Sequence, residues 1–166
     1  RFSTQADCEE YYITKELHLA KLHSPHANEI NEHYCRRWVS INILRDLRKE
    51  QLNGNKQAYL ADFQCSSYVG SRDEYLCISM ARPNAPTPGN VSVTTGLLID
   101  EKLRRKIKVL QNESVSFRKV NETCERCPLE DCKERSAPPL VIERNQRKSR
   151  MDTAIKRIMA QGKATP

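Results

Sequence analysis

Three cysteines stand close together in the segment Thr123-Cys124-Glu125-Arg126-Cys127-Pro128-Leu129-Glu130-Asp131-Cys132, with the spacing Cys-x2-Cys-x4-Cys. Two cysteines three positions apart in a tight turn direct both sulfurs at one ion, and the third arrives after a slightly longer loop. Thiolates are soft ligands, suited to zinc or to an iron–sulfur cluster. Arg126, Lys133 and Arg135 stand nearby and favour the thiolate over the thiol. Three thiolates are one fewer than a structural zinc or a four-iron cluster takes. The fourth position falls to Cys35, to Cys8, to one of the four histidines, of which His33 is two residues from Cys35, or to a non-protein ligand. Cys65 alternates in register with Tyr59 and Phe63, and Cys77 lies in an apolar run, so both read as buried core thiols.

The whole chain carries seven cysteines, an odd number that fits a disulfide framework poorly. No secretory leader is visible, so a reducing cytoplasm is the expected setting, where clustered thiols point to a metal. Apolar residues make up 38% and charged residues 30%, enough for a packed core beneath a wet surface. No apolar run reaches the length of a membrane span. Net charge is +7, and residues 133–166 carry most of it, with nine Lys and Arg against three Asp and Glu. This basic tail suits nucleic acid, an acidic partner or an anionic ligand, or forms a solvated helix face. A Gly-rich phosphate loop, a zinc-protease histidine pair and a Ser/His/Asp arrangement are all missing, so no enzyme is expected. The chain opens on Arg1-Phe2-Ser3 without an initiator Met, which reads as a piece of a longer protein.

The elements that must position these residues follow from periodicity. Residues 3–23 read as a helix capped by Ser3 or Thr4, with Ile13, Leu17 and Leu19 or Leu22 inward. Residues 24–28 break it, and a second helix is predicted over 32–52, with Trp38, Ile41, Leu44 and Leu47 along one side and Gly54 just past its end. The pattern then turns to period two. A half-buried strand begins at Tyr59, and Gly70 to Asp73 is a hairpin loop. Residues 74–82 are apolar on both faces and read as a central strand. Residues 91–99 form a third strand, 101–110 a short helix capped by Asp100, and 115–120 another strand. Ala137-Pro138-Pro139 stops regular structure, and Ser149-x-x-Asp152 resembles a capping box opening a final amphipathic helix with Met151, Ile155, Ile158 and Met159. The sum is an α+β fold: an antiparallel sheet flanked by helices, as in sensor domains of the GAF or PAS type, with a cysteine-rich C-terminal segment and a final helix. Its expected divisions are a sensing domain over 1–122, a cysteine segment over 123–139 and a basic helix and tail over 140–166.

The run Cys124-x2-Cys-x4-Cys132-Lys133-Glu134-Arg135-Ser136-Ala137-Pro138-Pro139 resembles the C-terminal signature of the short-chain fatty-acyl, propionate-type transcriptional regulators, which carry an N-terminal helix-turn-helix. Cys35-Arg36-Arg37-Trp38 is similar to the family's Cys-Pro-Leu-Trp block, with Arg36-Arg37 in place of Pro-Leu. Arg1-Phe2-Ser3 matches the stretch after a family strand. The matches come in family order, loosely over residues 1–139 and tightly over about twenty positions; Ala137 replaces the family's aromatic before Pro-Pro. The resemblance implies a GAF-like sensory domain behind a missing DNA-binding domain, a short-chain acyl-CoA effector and a cysteine-held 4Fe–4S cluster. Its ligands carry over to Cys124, Cys127 and Cys132, and Cys35 carries over as a motif cysteine and candidate fourth ligand. An acyl-CoA needs an apolar slot, for which Trp38, Tyr59, Phe63 and Tyr75 are candidates, and cations for its phosphates, for which Arg36 and Arg37 are candidates beside Arg104 and Arg105. A homodimer is left open. The alternatives are a zinc-bearing nucleic-acid-binding module and an iron–sulfur electron carrier, although the spacing differs from the Cys-x2-Cys-x2-Cys of bacterial ferredoxins.

Overall fold

The period-two stretches form the strands that dominate the fold. A computed structural model describes residues 1–5, 10–17, 32–56, 58–112 and 115–162, with side chains through residue 160. In chain order its strands are β1 (Phe2–Thr4), β2 (Tyr12–Ile13), β3 (Leu60–Tyr68), β4 (Glu74–Pro83), β5 (Asn90–Leu98) and β6 (Arg118–Val120), and its helices are α1 (Val39–Leu52), α2 (Glu101–Lys106) and α3 (Leu140–Gly162). Among the described residues the strands form one sheet in the order β2-β1-β5-β4-β3-β6. Every pairing is antiparallel except that of β6, which runs parallel to β3 along one edge. β4 is central, as its apolar residues on both faces predict. No helix among the described residues is long and apolar enough to cross a membrane.

One face of the sheet carries small side chains at its middle. Ser66, Ser79, Ala81 and Ser92 are all nearly inaccessible, and α1 lies across β3, β4 and β5. The Ser92 hydroxyl donates to the Ser40 carbonyl (2.7 Å), tying helix to strand. Ile41, Ile43, Leu44 and Leu47 of α1 are buried to within 2%, each worth about 1.5–3 kcal/mol of transfer free energy. They join Phe2, Cys35 and Trp38 in the main core, where Phe2 meets Tyr34 and Trp38 edge to face at 5.2 and 5.7 Å.

On the opposite face, Cys65 and Leu76 are sealed by Leu110, with Leu103, Ile107 and Phe117 packed against them. Among the described residues nothing covers the rest of that face: Phe63, Ile78, Met80 and Val93 are 47–63% exposed. Cys65 is thus a core thiol as expected, and Cys77 is partly buried on the α1 side.

Several expected elements differ from those observed. The start of the predicted helix over 3–23 is instead β1 and β2; residues 6–9 and 18–31 lie outside the described ones. Phe2 pairs with Ile13, and the run Tyr11-Tyr12-Ile13-Thr14 is β-prone; Leu19 and Leu22 of the expected helix lie outside the described residues. The second helix begins at Val39 rather than residue 32, because Tyr34 is bridged to Thr123 and Trp38 adopts extended dihedrals at the cap. The helix over 101–110 splits into α2 and a 3-10 turn (Lys108–Gln111), with the break at β-branched Ile107. The last strand begins at 118. Ser149 does not open the final helix. It lies in the interior of α3, where its carbonyl accepts from the Thr153 hydroxyl at 2.8 Å. Ala137, Pro138 and Pro139 lie outside regular structure as expected, and α3 begins directly after them.

Gly89 has φ +111°, and a Cβ there would collide with the Thr4 carbonyl oxygen of β1. Gly89→Ala is therefore expected to lift β1 from β5 and to lower stability by about 2 kcal/mol or more, read as an earlier urea midpoint.

Candidate metal centre

The cysteine segment is shaped by its pairing with a distant stretch. Cys124 N–H donates to the His33 carbonyl (2.8 Å) and Cys35 N–H to the Glu122 carbonyl (3.0 Å), with Tyr34 opposite Thr123. Two carboxylates lock the pairing. Glu125, 7% exposed, accepts from the His33 backbone N–H at 2.9 Å and meets its Nδ1 at 2.7 Å. Glu32 accepts a two-pronged contact from Arg126 (2.8 and 2.7 Å) and the Thr123 hydroxyl (2.7 Å).

This pairing brings Cys35 to the triad. Cys35, Cys124, Cys127 and Cys132 line one cavity together with Arg37, Lys119, Leu129 and Arg135. The space between them is about 10 Å³, room for one water-sized sphere, so a group of several atoms enters only as the thiols turn outward. All four are free thiols, and burial pushes the Cys35 thiol above its ordinary pKa. Among the described residues no three or more His, Cys, Asp or Glu side chains stand in the geometry of a bound ion.

Arg135 holds the loop from behind. Its Nη1 donates to the carbonyls of Cys124 (2.8 Å) and Ala137 (3.5 Å), and its Nη2 to those of Cys127 (3.1 Å) and Leu129 (2.5 Å). The Cys124 sulfur accepts from the Ser136 backbone N–H at 3.4 Å, a donor of the kind that tunes a thiolate ligand, and lies 3.4 Å from the Ser136 hydroxyl, where either group can donate. Arg37 presents a buried Nε with no hydrogen-bond partner; its nearest carboxylate, Glu134, is 3.9 Å away. Four thiols, a backbone N–H donated to one of their sulfurs and an Arg37 Nε without a hydrogen-bond partner thus lie at one cavity; thiols are the donor type that soft metals and iron–sulfur clusters take, though they are not set in the geometry of a bound ion.

The expected residues sort as follows. The three clustered cysteines and Cys35 are together. His33 is engaged by Glu125, while Cys8, His18, His23 and His26 lie outside the described residues. Of the expected cations Arg135 lines the cavity; Arg126 and Lys133 do not, and Arg37 and Lys119 take their place. The six candidate effector residues do not converge. Trp38 and Tyr75 are buried in the interior, and Tyr59 and Phe63 are 69% and 55% exposed. The Arg36 guanidinium lies 4.4 Å over the Tyr11 ring. Glu32, Glu125 and Ser136 were not singled out by spacing, because their roles arise from contacts across the fold.

Burial alone would raise the pKa of Glu32, but hydrogen bonds from Arg126 and Thr123 and the charges of Arg126 and Arg144 outweigh it, so the net shift is downward. A depressed carboxylate stabilises the fold fully above its unfolded pKa and loses that contribution as pH falls through the folded one. The 32–35/122–125 pairing is expected to hold through neutral pH and to open in acid. Glu32→Gln should flatten that acid limb, read by amide exchange of residues 122–127.

No family model matches the chain, and no curated protein or solved structure shows significant similarity to it.

Proposed function

We propose that this chain is the sensory domain of a cytoplasmic transcription regulator in which Cys35, Cys124, Cys127 and Cys132 hold a 4Fe–4S cluster. The observation that carries the reading is the single cavity lined by all four thiols. The motif resemblance supplies the class: a GAF-like sensor of short-chain acyl-CoA, with DNA recognition assigned to a helix-turn-helix segment beyond these residues. When bound, the cluster supplies a redox- and oxygen-sensitive charge. This chain's own residues set its surroundings: Arg135 fixes the loop, Ser136 donates to the Cys124 sulfur, and Arg37 and Lys119 offset negative charge. Glu125 couples the centre outward, because its carbonyl accepts the Val141 N–H (3.1 Å) in the first turn of α3. A change at the thiols thereby reaches the helix that leaves the domain.

For the effector, an open depression of about 560 Å³ lined by Arg104, Arg105, Leu110, Val115 and Phe117 combines guanidinium groups with an apolar wall, within the size range of small-molecule sites. It replaces the scattered aromatic set as the acyl-CoA candidate.

Anaerobic purification followed by metal and sulfide analysis tests the reading. The expected result is a broad absorption near about 400 nm with roughly four iron and four sulfide per chain, and heat on titration with a short-chain acyl-CoA that coenzyme A alone does not give. A colourless protein with stoichiometric zinc would sink the cluster. It would favour a second reading, a zinc-bearing nucleic-acid module, which the exposed basic side chains of α3 support. That module predicts binding to nucleic acid that falls steeply with salt.

A further inference from the structure

Among the described residues, two apolar surfaces have no partner. One is the uncovered sheet face, where Phe63, Ile78, Met80, Val93 and Leu97 are 36–63% exposed on adjacent strands. Phe63 stands opposite Ile78 and Met80 opposite Val93, so the patch is continuous across β3, β4 and β5. The other is α3. From Glu143 to Ala160 every side chain of α3 is exposed, yet Met151, Ile155, Ile158 and Met159 fall at i, i+4, i+7 and i+8 on one side and are 51–68% exposed. Most helical stability in proteins comes from packing an apolar face, which the exposed part of α3 does not do.

We propose that the α3 stripe of one copy packs on the sheet face of a second copy, and reciprocally, in a two-fold homodimer. The helix does not reach its own sheet face. Its root has no slack: Pro138 and Pro139 lead directly into it, the Val141 N–H is bound to the Glu125 carbonyl (3.1 Å) and the Glu143 N–H to that of Pro139 (3.1 Å). Four or five large side chains about half exposed leave roughly 400–500 Å² of apolar surface on each patch, at the upper end for a monomer. Two helix–sheet contacts would bury roughly 1,800 Å² in all, the size of a stable specific interface. The inference does not depend on what the cysteines bind.

Sedimentation velocity on the full chain at micromolar concentration tests it. The wild type is expected to sediment as a dimer. Ile155→Lys/Ile158→Lys on the helix and Ile78→Lys/Val93→Lys on the sheet are each expected to weaken dimerisation by about a hundredfold or more, while circular dichroism stays native because all four positions are exposed. Mixing the two variants should restore a dimer, since one copy's intact helix then meets the other's intact sheet face. Should a Lys variant misfold, the Ser substitutions at the same positions replace it in the same comparison. A monomeric wild type overturns the proposal, whether α3 is then free or folded back in cis. So does a sheet variant that remains dimeric, which would mean helix–helix pairing, or a mixture of folded variants that stays monomeric.

Discussion

Cys35→Ser is expected to lose the centre while keeping the fold. Cys35 is 6% exposed and lines the same cavity as the three motif thiols, although it lies on the far side of the sheet in sequence. Replacing a serine-sized group there changes little volume, so the metal-free protein should melt within a few degrees of the wild type. Iron and sulfide bound after anaerobic reconstitution should fall at least about tenfold, since even outer-shell changes lower metal affinity by 10–100-fold. Cys65→Ser is the control: Cys65 is buried against Leu76 and Leu110, away from the cavity, and its loading should match the wild type. Full loading of Cys35→Ser would return the fourth position to a residue or ligand outside this set.

Arg135→Ala is expected to be the most damaging single change in the cysteine segment. One guanidinium satisfies four backbone carbonyls between Cys124 and Ala137. Partly buried carbonyls left without donors cost about 1–3 kcal/mol each when fully shielded, so a total of about 3–5 kcal/mol is reasonable here, or a melting point roughly 10 °C lower. The loop should lose its amide-exchange protection and the protein its capacity to load metal. Arg135→Lys should not restore either, because an ammonium cannot hold a planar fork of carbonyls. Normal loading in Arg135→Ala would show that the cysteine loop holds itself.

The sequence-based expectations succeeded where the cause is local and failed where it is not. The alternation from Tyr59, over 74–82 and over 91–99 is a property of each strand, and the strands are observed at Leu60–Tyr68, Glu74–Pro83 and Asn90–Leu98. Leu44 and Leu47 could be placed inward because helical spacing alone marks that side. The N-terminal strands escaped because the pairing of Phe2 with Ile13 is non-local. The aromatic slot failed for a related reason. Period two says that Phe63 and Tyr75 each have a face, but only the register, with Ser66 opposite Tyr75 and Phe63 opposite Ile78, puts them on opposite sides of the sheet. The Ser149 cap failed because two prolines upstream already start the helix. Arg135 and Glu125 carry no pattern that marks them as clamps.

The pairing of residues 32–35 with 122–125 also bears on how the molecule comes into being. His33 and Glu125 are 92 positions apart, and between them lie α1 and the three long strands. Closing a segment of that length in a flexible chain is entropically expensive, and contacts of such span form late. The chain between Cys35 and its three counterparts includes the meander β3–β4–β5, and local hairpin pairing within it closes far shorter segments than the Cys35 contact does. On a ribosome, the three clustered thiols emerge after Cys35 and the strands of the sheet. A metal bound by all four would act as a cross-link around that long segment, favouring the native chain by about 4–5 kcal/mol on the scale known for disulfides closing similar spans. Loading would then be a checkpoint on folding: immature chains offer an incomplete ligand set, and finished ones are stapled shut.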